Sequence, residues 1–300
     1  MTGGPERSLH ERAERPLLTD THVHFHDLRL EDVRYSWLMP GGEDEALGEY
    51  AAIRAERYWA DDFLAETRFQ GVARAVHVQA ADGGDPVAET RWIQAFHDRL
   101  GAPAGAVAYA DLASPQLEAT LAGHLEHSVV RGIRDLRGDD YLTDARWERG
   151  FARLGDLGLV CCDALGVDTY GIAAELARRH PGTTLCLDHA GFPRRRDREY
   201  FDRWRAGLAA LAAVPSVVVK ISGLGMADPG WSVDSLRPWV LAALELFGSE
   251  RCMLGTNWPV DRLYSSYGDV LEAYDEILSG CSEAERQAVF SANADRVFRL

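Results

Sequence analysis

The feature that most limits what this chain can fold into is a regular alternation. Eight short apolar runs recur, each β-branched or bounded by glycine or proline. They are 17–25 (LLTDTHVHF), 73–80 (ARAVHVQA), 104–112 (AGAVAYADL), 129–136 (VVRGIRDL), 157–165 (LGLVCCDAL), 183–191 (TTLCLDHAG), 216–223 (SVVVKISG) and 251–258 (RCMLGTNW). Such runs read as strands. Helical patterns lie between them. Residues 168–180 place Ile172, Ala173 and Leu176 on an apolar face and end in basic residues before Pro181, and residues 235–248 stop at a glycine. Eight strands alternating with helices predict an α/β fold, a single (β/α)8 TIM barrel with its active site at the C-terminal ends of the strands. A doubly wound sheet would need a glycine-rich phosphate turn after an early strand, and the sequence has none.

The 300 residues carry no repeat of fixed period and no low-complexity linker. The expected organisation is a polar tail over 1–16 and one barrel over 17–300, with 27–58 an insertion after the first strand. That insertion carries Tyr35, Trp37, Met39, Tyr50 and Tyr58. It reads either as a pocket wall supplying Trp37 to a substrate or as a surface loop anchored by that Trp. The net charge of −15, with arginines scattered, argues against nucleic acid and anionic membranes as partners. No apolar run approaches the roughly 20 residues that span a bilayer. The polar start has no apolar signal core. Five cysteines without a CxxC read as free thiols in a reducing compartment. A cytoplasmic protein is the expectation, with Cys161 as neutral packing rather than a ligand or nucleophile.

Chemistry concentrates at the strand ends. Side chains two apart on a strand share a face, which places His22 and His24 together, with Asp20 and His26 in the same phase. His-x-His on a strand is a metal-ligand spacing, because both rings can converge on one ion. The second strand ends in His77 and Gln79. The fourth offers Arg131 and Arg134, which differ in phase, so that at most one faces a pocket; Arg134 is favoured. The fifth offers Asp163, in phase with Cys161. The sixth offers His189 beside Asp188. The seventh offers Lys220 and Ser222, and the eighth Asn257, followed by Asp261. Polar groups recurring where a packed barrel would place Val or Ile point to one shared site at the barrel mouth.

Lys220 is the one lysine among 32 Lys plus Arg, and it stands inside an apolar strand. Pointing into the barrel, it could hold an anionic substrate, or have its pKa lowered by burial and act as a base or nucleophile. A structural ion pair with a neighbouring Asp is the competing reading. Arg194, Arg195 and Arg196 read as either a carboxylate clamp on the rim or a solvated helix start.

Taken in order, TDTHVHFHD, VVRGIRD, LDHAGFP, VVVKISGL and MLGTNWPVDRLYSSYGDVLEAY resemble the amidohydrolase-related proteins, in the branch that holds sugar lactonases and pyrone-dicarboxylate lactonases. The likeness spans residues 17–300. It implies a TIM barrel that hydrolyses ester or amide bonds, often lactones. His22, His24 and His189 match the family's histidines, Arg134 an arginine facing an anionic or hydroxylated substrate, and Lys220 the family's seventh-strand motif. Asn257 stands where much of the family has a catalytic Asp, and an amide cannot act as a base near neutral pH. The base must then be another group: His189, Asp163, Asp261 or His26, in that order. VCCDAL lacks the fifth-strand His of many metal-binding relatives, and the fourth strand has no Lys to carboxylate, so two metals are not expected.

Two chemistries remain open from sequence. One zinc on His22, His24 and His189 would lower the pKa of a bound water towards 7. Equally, the same histidines without metal could donate hydrogen bonds to a carbonyl oxygen. The expected activity is opening of a sugar-acid lactone or small carboxylated cyclic ester. Arg134, Lys220, Gln79, His77, Ser222 and Trp37 would bind substrate; His189, Asp163, Asn257 and Asp261 would carry catalysis. Alternatives are a zinc-dependent decarboxylase or hydro-lyase on the same scaffold, a tailoring hydrolase of a biosynthetic pathway, or a binding protein that lost its base. The resemblance also implies a homo-oligomer.

Overall fold

The computed structural model describes residues 15–41, 50, 52–135 and 141–300. The expected tail over 1–16 falls almost wholly outside these, as do residues 42–49 and 51 of the 27–58 stretch. Eight parallel strands follow one another in chain order around a single sheet. They are β1 (Leu18–Val23), β2 (Val72–Val78), β3 (Gly105–Tyr109), β4 (Val130–Arg134), β5 (Val160–Asp163), β6 (Leu185–Leu187), β7 (Val217–Ile221) and β8 (Cys252–Leu254). Seven of the eight apolar runs contain their strand entirely, and β2 starts one residue before its run. The seam between β8 and β1 is closed beyond the ladder. Thr21 Oγ1 donates to the Leu254 carbonyl (2.7 Å), His24 N to the Trp258 carbonyl (2.7 Å), and Asp20 accepts from the backbone and hydroxyl of Thr256 (2.9 and 2.6 Å). The chain is therefore a (β/α)8 barrel.

Alternation sorts the strand residues into two layers. One phase (Val76, Val78, Val107, Val160, Cys162, Cys186, Val218, Met253) fills the barrel interior, sealed by Ala294 and Phe298 of the C-terminal helix α10 (Asn293–Phe298). The other phase (Ile133, Cys161, Leu185, Leu187, Val217, Val219, Ile221, Leu254) packs against the helices. Helices α5 (Tyr170–Arg179) and α7 (Val233–Phe247) occupy the two stretches whose periodicity reads as helix. Ser232 caps α7, accepting from Ser235 N at 3.2 Å while Ser235 Oγ accepts from Ser232 N. No helix among the described residues is long and apolar enough to cross a membrane.

Candidate active site

The interior phase turns polar at the C-terminal ends of the strands. His22 and His24 bring their Nε2 atoms to 3.2 Å. His24 Nδ1 lies 2.8 Å from the Val78 carbonyl, which can only accept, so the proton sits on Nδ1 and Nε2 is bare. Two bare nitrogens cannot approach this closely. The contact needs a proton on His22 Nε2 or a cation shared by both rings. His22 Nδ1 faces Asp188 Oδ1 at 3.6 Å and has no hydrogen-bond partner among the described residues. When that nitrogen holds the proton, His22 Nε2 is bare, and the two rings present converging lone pairs suited to one divalent ion. His189 does not complete the expected three-histidine set. Its ring stands 4.4 Å from that of His22, and the described residues bring no three histidine nitrogens within 4.8 Å of one another. Burial pushes all three imidazoles down: His22 and His24 well below the usual histidine range, His189 to about 4. All three are neutral near pH 7.

His189 owes its position to backbone strain. It lies at φ 54°, Ala190 at φ 51° and Phe192 at φ 46°, all left-handed. The turn is held from outside. Trp204 Nε1 donates to the Ala190 carbonyl (2.8 Å) and Tyr170 Oη to the Gly191 carbonyl (2.6 Å). Ser222 Oγ meets His189 Nδ1 at 3.0 Å, and a Cβ on Gly223 would come within 2.6 Å of that nitrogen. The glycine of VVVKISG thus makes room for the histidine of LDHAG.

Asp188 is the hub, and sequence reading gave it no role of its own. Its Oδ1 lies 3.0 Å from Lys220 Nζ and its Oδ2 3.5 Å from Arg134 Nη1, with all three residues buried. Burial alone would raise its pKa; Lys220, His22 and Arg134 hold it well below the carboxylate range. Lys220 points into the barrel, as its phase predicts, yet its side chain is fully buried and its ammonium lies against Asp188. The expected fall in its pKa is reversed. Burial lowers it, but Asp188 and the sulfurs of Cys162 and Cys186 together raise it above the usual lysine value. The 3.0 Å contact with Asp188 fits the structural ion pair rather than a base or nucleophile with a depressed pKa. Gln79 aims Arg134: its Oε1 accepts from Nε (2.8 Å) and its carbonyl from Nη2 (2.6 Å). Arg131, three residues earlier, instead meets the Ser128 and Arg299 carbonyls.

Asn257, at φ 58°, donates from Nδ2 to Asp261 Oδ2 at 2.7 Å. Burial pushes the Asp261 carboxyl up to about 7, although Asn257 and the Gly225 backbone lower it. Asp163 is likewise pushed to about 7 by burial; Tyr141, whose hydroxyl donates to Asp163 Oδ2, works in the other direction. Asp163 shares the phase of Cys161, so it leaves the strand on the helix-facing side and meets Tyr141, which opens a short 3-10 helix that no sequence pattern marks. Trp37 sits 6.3 Å from the His24 ring and donates from Nε1 to the Ala80 carbonyl (2.8 Å).

Three expectations are redirected. His77 lies between the inward valines Val76 and Val78, so it faces away from the axis. It stacks on Phe25 (5.5 Å), accepts from Phe25 N (3.2 Å) and approaches Glu89 (3.7 Å). The β1 register slips between Asp20 and Val23, so the alternation ends there. Asp20 consequently meets Tyr267 and Thr256, while His26 meets the Ala55 carbonyl among Tyr35 and Tyr58. Arg195 pairs with Asp197, Arg196 bonds the Pro193 and Leu224 carbonyls, and Arg194 lies over Phe192, so the three form no common clamp.

Comparison with known proteins shows the family. Residues 19–300 match the amidohydrolase family profile, and the chain belongs to that family. It is an amidohydrolase-related hydrolase. A protein designated y4mH from Sinorhizobium fredii is 36% identical, over 92% of this chain and 97% of that protein. An L-fucono-1,5-lactonase of Burkholderia multivorans is 31% identical, over 95% and 96%. The crystal structure of a Burkholderia multivorans amidohydrolase with bound zinc superposes with a TM-score of 0.82 at 30% identity, covering 95% of this chain and 99% of that one.

Proposed function

We propose that this chain hydrolyses a lactone, either of a sugar acid or of a small carboxylated ring, to the open hydroxy acid. The Asn257–Asp261 contact carries the catalytic part of the reading. The family's eighth-strand Asp is replaced by an amide, but a carboxylate four residues on is bonded to that amide and tuned to about 7. Asn257 orients the attacking water through its carbonyl oxygen, and Asp261 takes up the proton. A base with a pKa near the working pH suits this step. Arg134, aimed by Gln79, holds the substrate's oxygens against the fixed charge of Asp188. Neutral His189 and His22 direct the carbonyl without adding charge. Trp37 covers the ring beside His24. Cleavage sends the water oxygen to the carbonyl carbon and a proton to the ring oxygen.

His22 and His24 would hold one divalent ion, whose chemistry there is to polarise the carbonyl oxygen. The relative named as a lactonase and the zinc-containing structure support the substrate class and the ion respectively.

The test is acid release from a panel of sugar-acid 1,5-lactones and 2-pyrone-4,6-dicarboxylate, followed in a pH-stat. Ring opening that falls at least a hundredfold in His189→Ala and Asp261→Asn is expected. Undiminished turnover in both variants, or no lactone opened by the wild type, overturns the reading.

A further inference from the structure

Below the catalytic groups Asp188 also belongs to a second cluster, whose cysteines the proposed reaction does not use. Cys162 and Cys186 are register partners on β5 and β6 and point inward together. Their sulfurs and an Asp188 carboxylate oxygen all lie within 4.8 Å of one another, and all three residues are buried. Two sulfurs and one carboxylate form a donor set for zinc or cadmium, distinct in kind from the nitrogens of His22 and His24. A cation already stands at this set. Lys220 enters from β7 and places Nζ 3.0 Å from Asp188 Oδ1 and 3.6 Å from Cys162 Sγ, with the Phe298 ring 5.2 Å away.

We propose that the Lys220 ammonium is the resident cation of a Cys162–Cys186–Asp188 cage, and that the cage is a latent soft-metal site which opens when the ammonium is removed. An ammonium and a divalent ion a few ångströms apart in a buried site repel strongly, so the two occupants exclude each other. The ammonium gives Asp188 its counter-charge, and the carboxylate then stays poised between Arg134 and His22. The floor of the active site therefore keeps its charge and shape from covalently attached groups, whether or not an ion visits His22 and His24. This answers why a chain that writes its positive charge as arginine keeps a lysine here. A compact ammonium on an unbranched stem fits a cage of metal-ion size, and a planar guanidinium does not.

The experiment is a cadmium titration of the wild type, Lys220→Ala and Lys220→Ala/Cys162→Ser. The ultraviolet thiolate-to-cadmium band, bound metal per chain and Tm are read; none depends on turnover or on the lactone reading. Lys220→Ala is expected to bind one cadmium per chain more than the wild type, with the band and a Tm rise beyond the wild type's. The wild type should show no thiolate band, whatever ion His22 and His24 take up, and the double variant should lose the gain and the band. A Cys162-dependent band in the wild type overturns the proposal, as does a folded Lys220→Ala without one. Should Lys220→Ala not fold alone, it is refolded with and without cadmium beside Lys220→Met, which keeps the stem and drops the charge. Recovery of the folded Ala variant by cadmium supports the cage; failure of cadmium to recover it while Lys220→Met folds overturns it, as does failure of both variants.

Discussion

The β6–β7 wall and the ends of β5 and β8 bury the same residue type to opposite effect. Asp188 on the first is held well below the carboxylate range; Asp163 and Asp261 on the others are pushed up to about 7. Burial alone does not separate them, since all three are buried. The difference lies in neighbours. Asp188 faces Lys220 and Arg134, whereas Asp163 faces the Tyr141 hydroxyl and Asp261 the Asn257 amide. A fixed cation keeps a buried carboxylate charged, while a neutral donor only softens the cost of desolvation. Carboxyls whose environments split their pKa values divide the work: one gives structure and field, the others are free to move a proton.

The hardest test of this contrast is Asp188→Asn. It leaves Lys220 and Arg134 buried without a counter-charge, a loss of about 3–5 kcal/mol. Chemical denaturation should show that loss, with turnover abolished. A variant within 1 kcal/mol of wild type would mean Asp188 is not the hub. Next come Asp261→Asn and Asp163→Asn compared side by side. Removing the base costs about 10²–10⁴ in rate, and only the base should show it. With Asp261 as base, kcat/KM rises with pH and levels above about 7, because the ionised form accepts the proton. A profile already flat from pH 5 would shift the role to His189, whose value is about 4. Smaller still is Gln79→Ala, which removes one hydrogen bond to a charged group, about 1.5–3 kcal/mol. If Gln79 only aims Arg134, KM rises while Tm hardly changes; a fall in Tm with KM unmoved would make it structural.

What sequence could and could not reveal follows the same division. The eight strands were legible because apolar runs and glycine or proline boundaries are local properties. The inward phase of Lys220 is legible because its apolar neighbour Val218 shares it. His77 was misread because its position near the strand end hid the decisive fact that Val76 and Val78 take the inward phase. Asp20 and His26 depend on a register slip that no alternation signals. Asp188 could have been found from its phase with Cys186, but its weight comes from three residues converging from β1, β4 and β7. Tyr141 comes from a short 3-10 helix, and only the folded chain brings it to Asp163.

The comparison also predicts two opposite dependences of stability on pH. Asp163 and Asp261 have folded-state values raised above the ordinary 3.8, so the folded chain holds more protons than the unfolded chain between about 4 and 7. Their contribution is full below about 4 and declines as pH rises to about 7, by at most about 1.4 kcal/mol per pH unit for each group. Asp188 is depressed, so its contribution is present above the ordinary carboxylate value and is lost as pH falls further. Relative to wild type, Asp261→Asn and Asp163→Asn should therefore gain stability between pH 4 and 7, while Asp188→Asn should be about equally damaging at pH 5.5 and 7, because its contribution is lost only below the ordinary carboxylate value. Urea midpoints at pH 4.5, 5.5 and 7 measure all three. Parallel wild-type and Asp261→Asn curves would show that Asp261 ionises as an ordinary carboxylate, and the proton-accepting role would pass to Asp163, whose variant must then supply the missing slope.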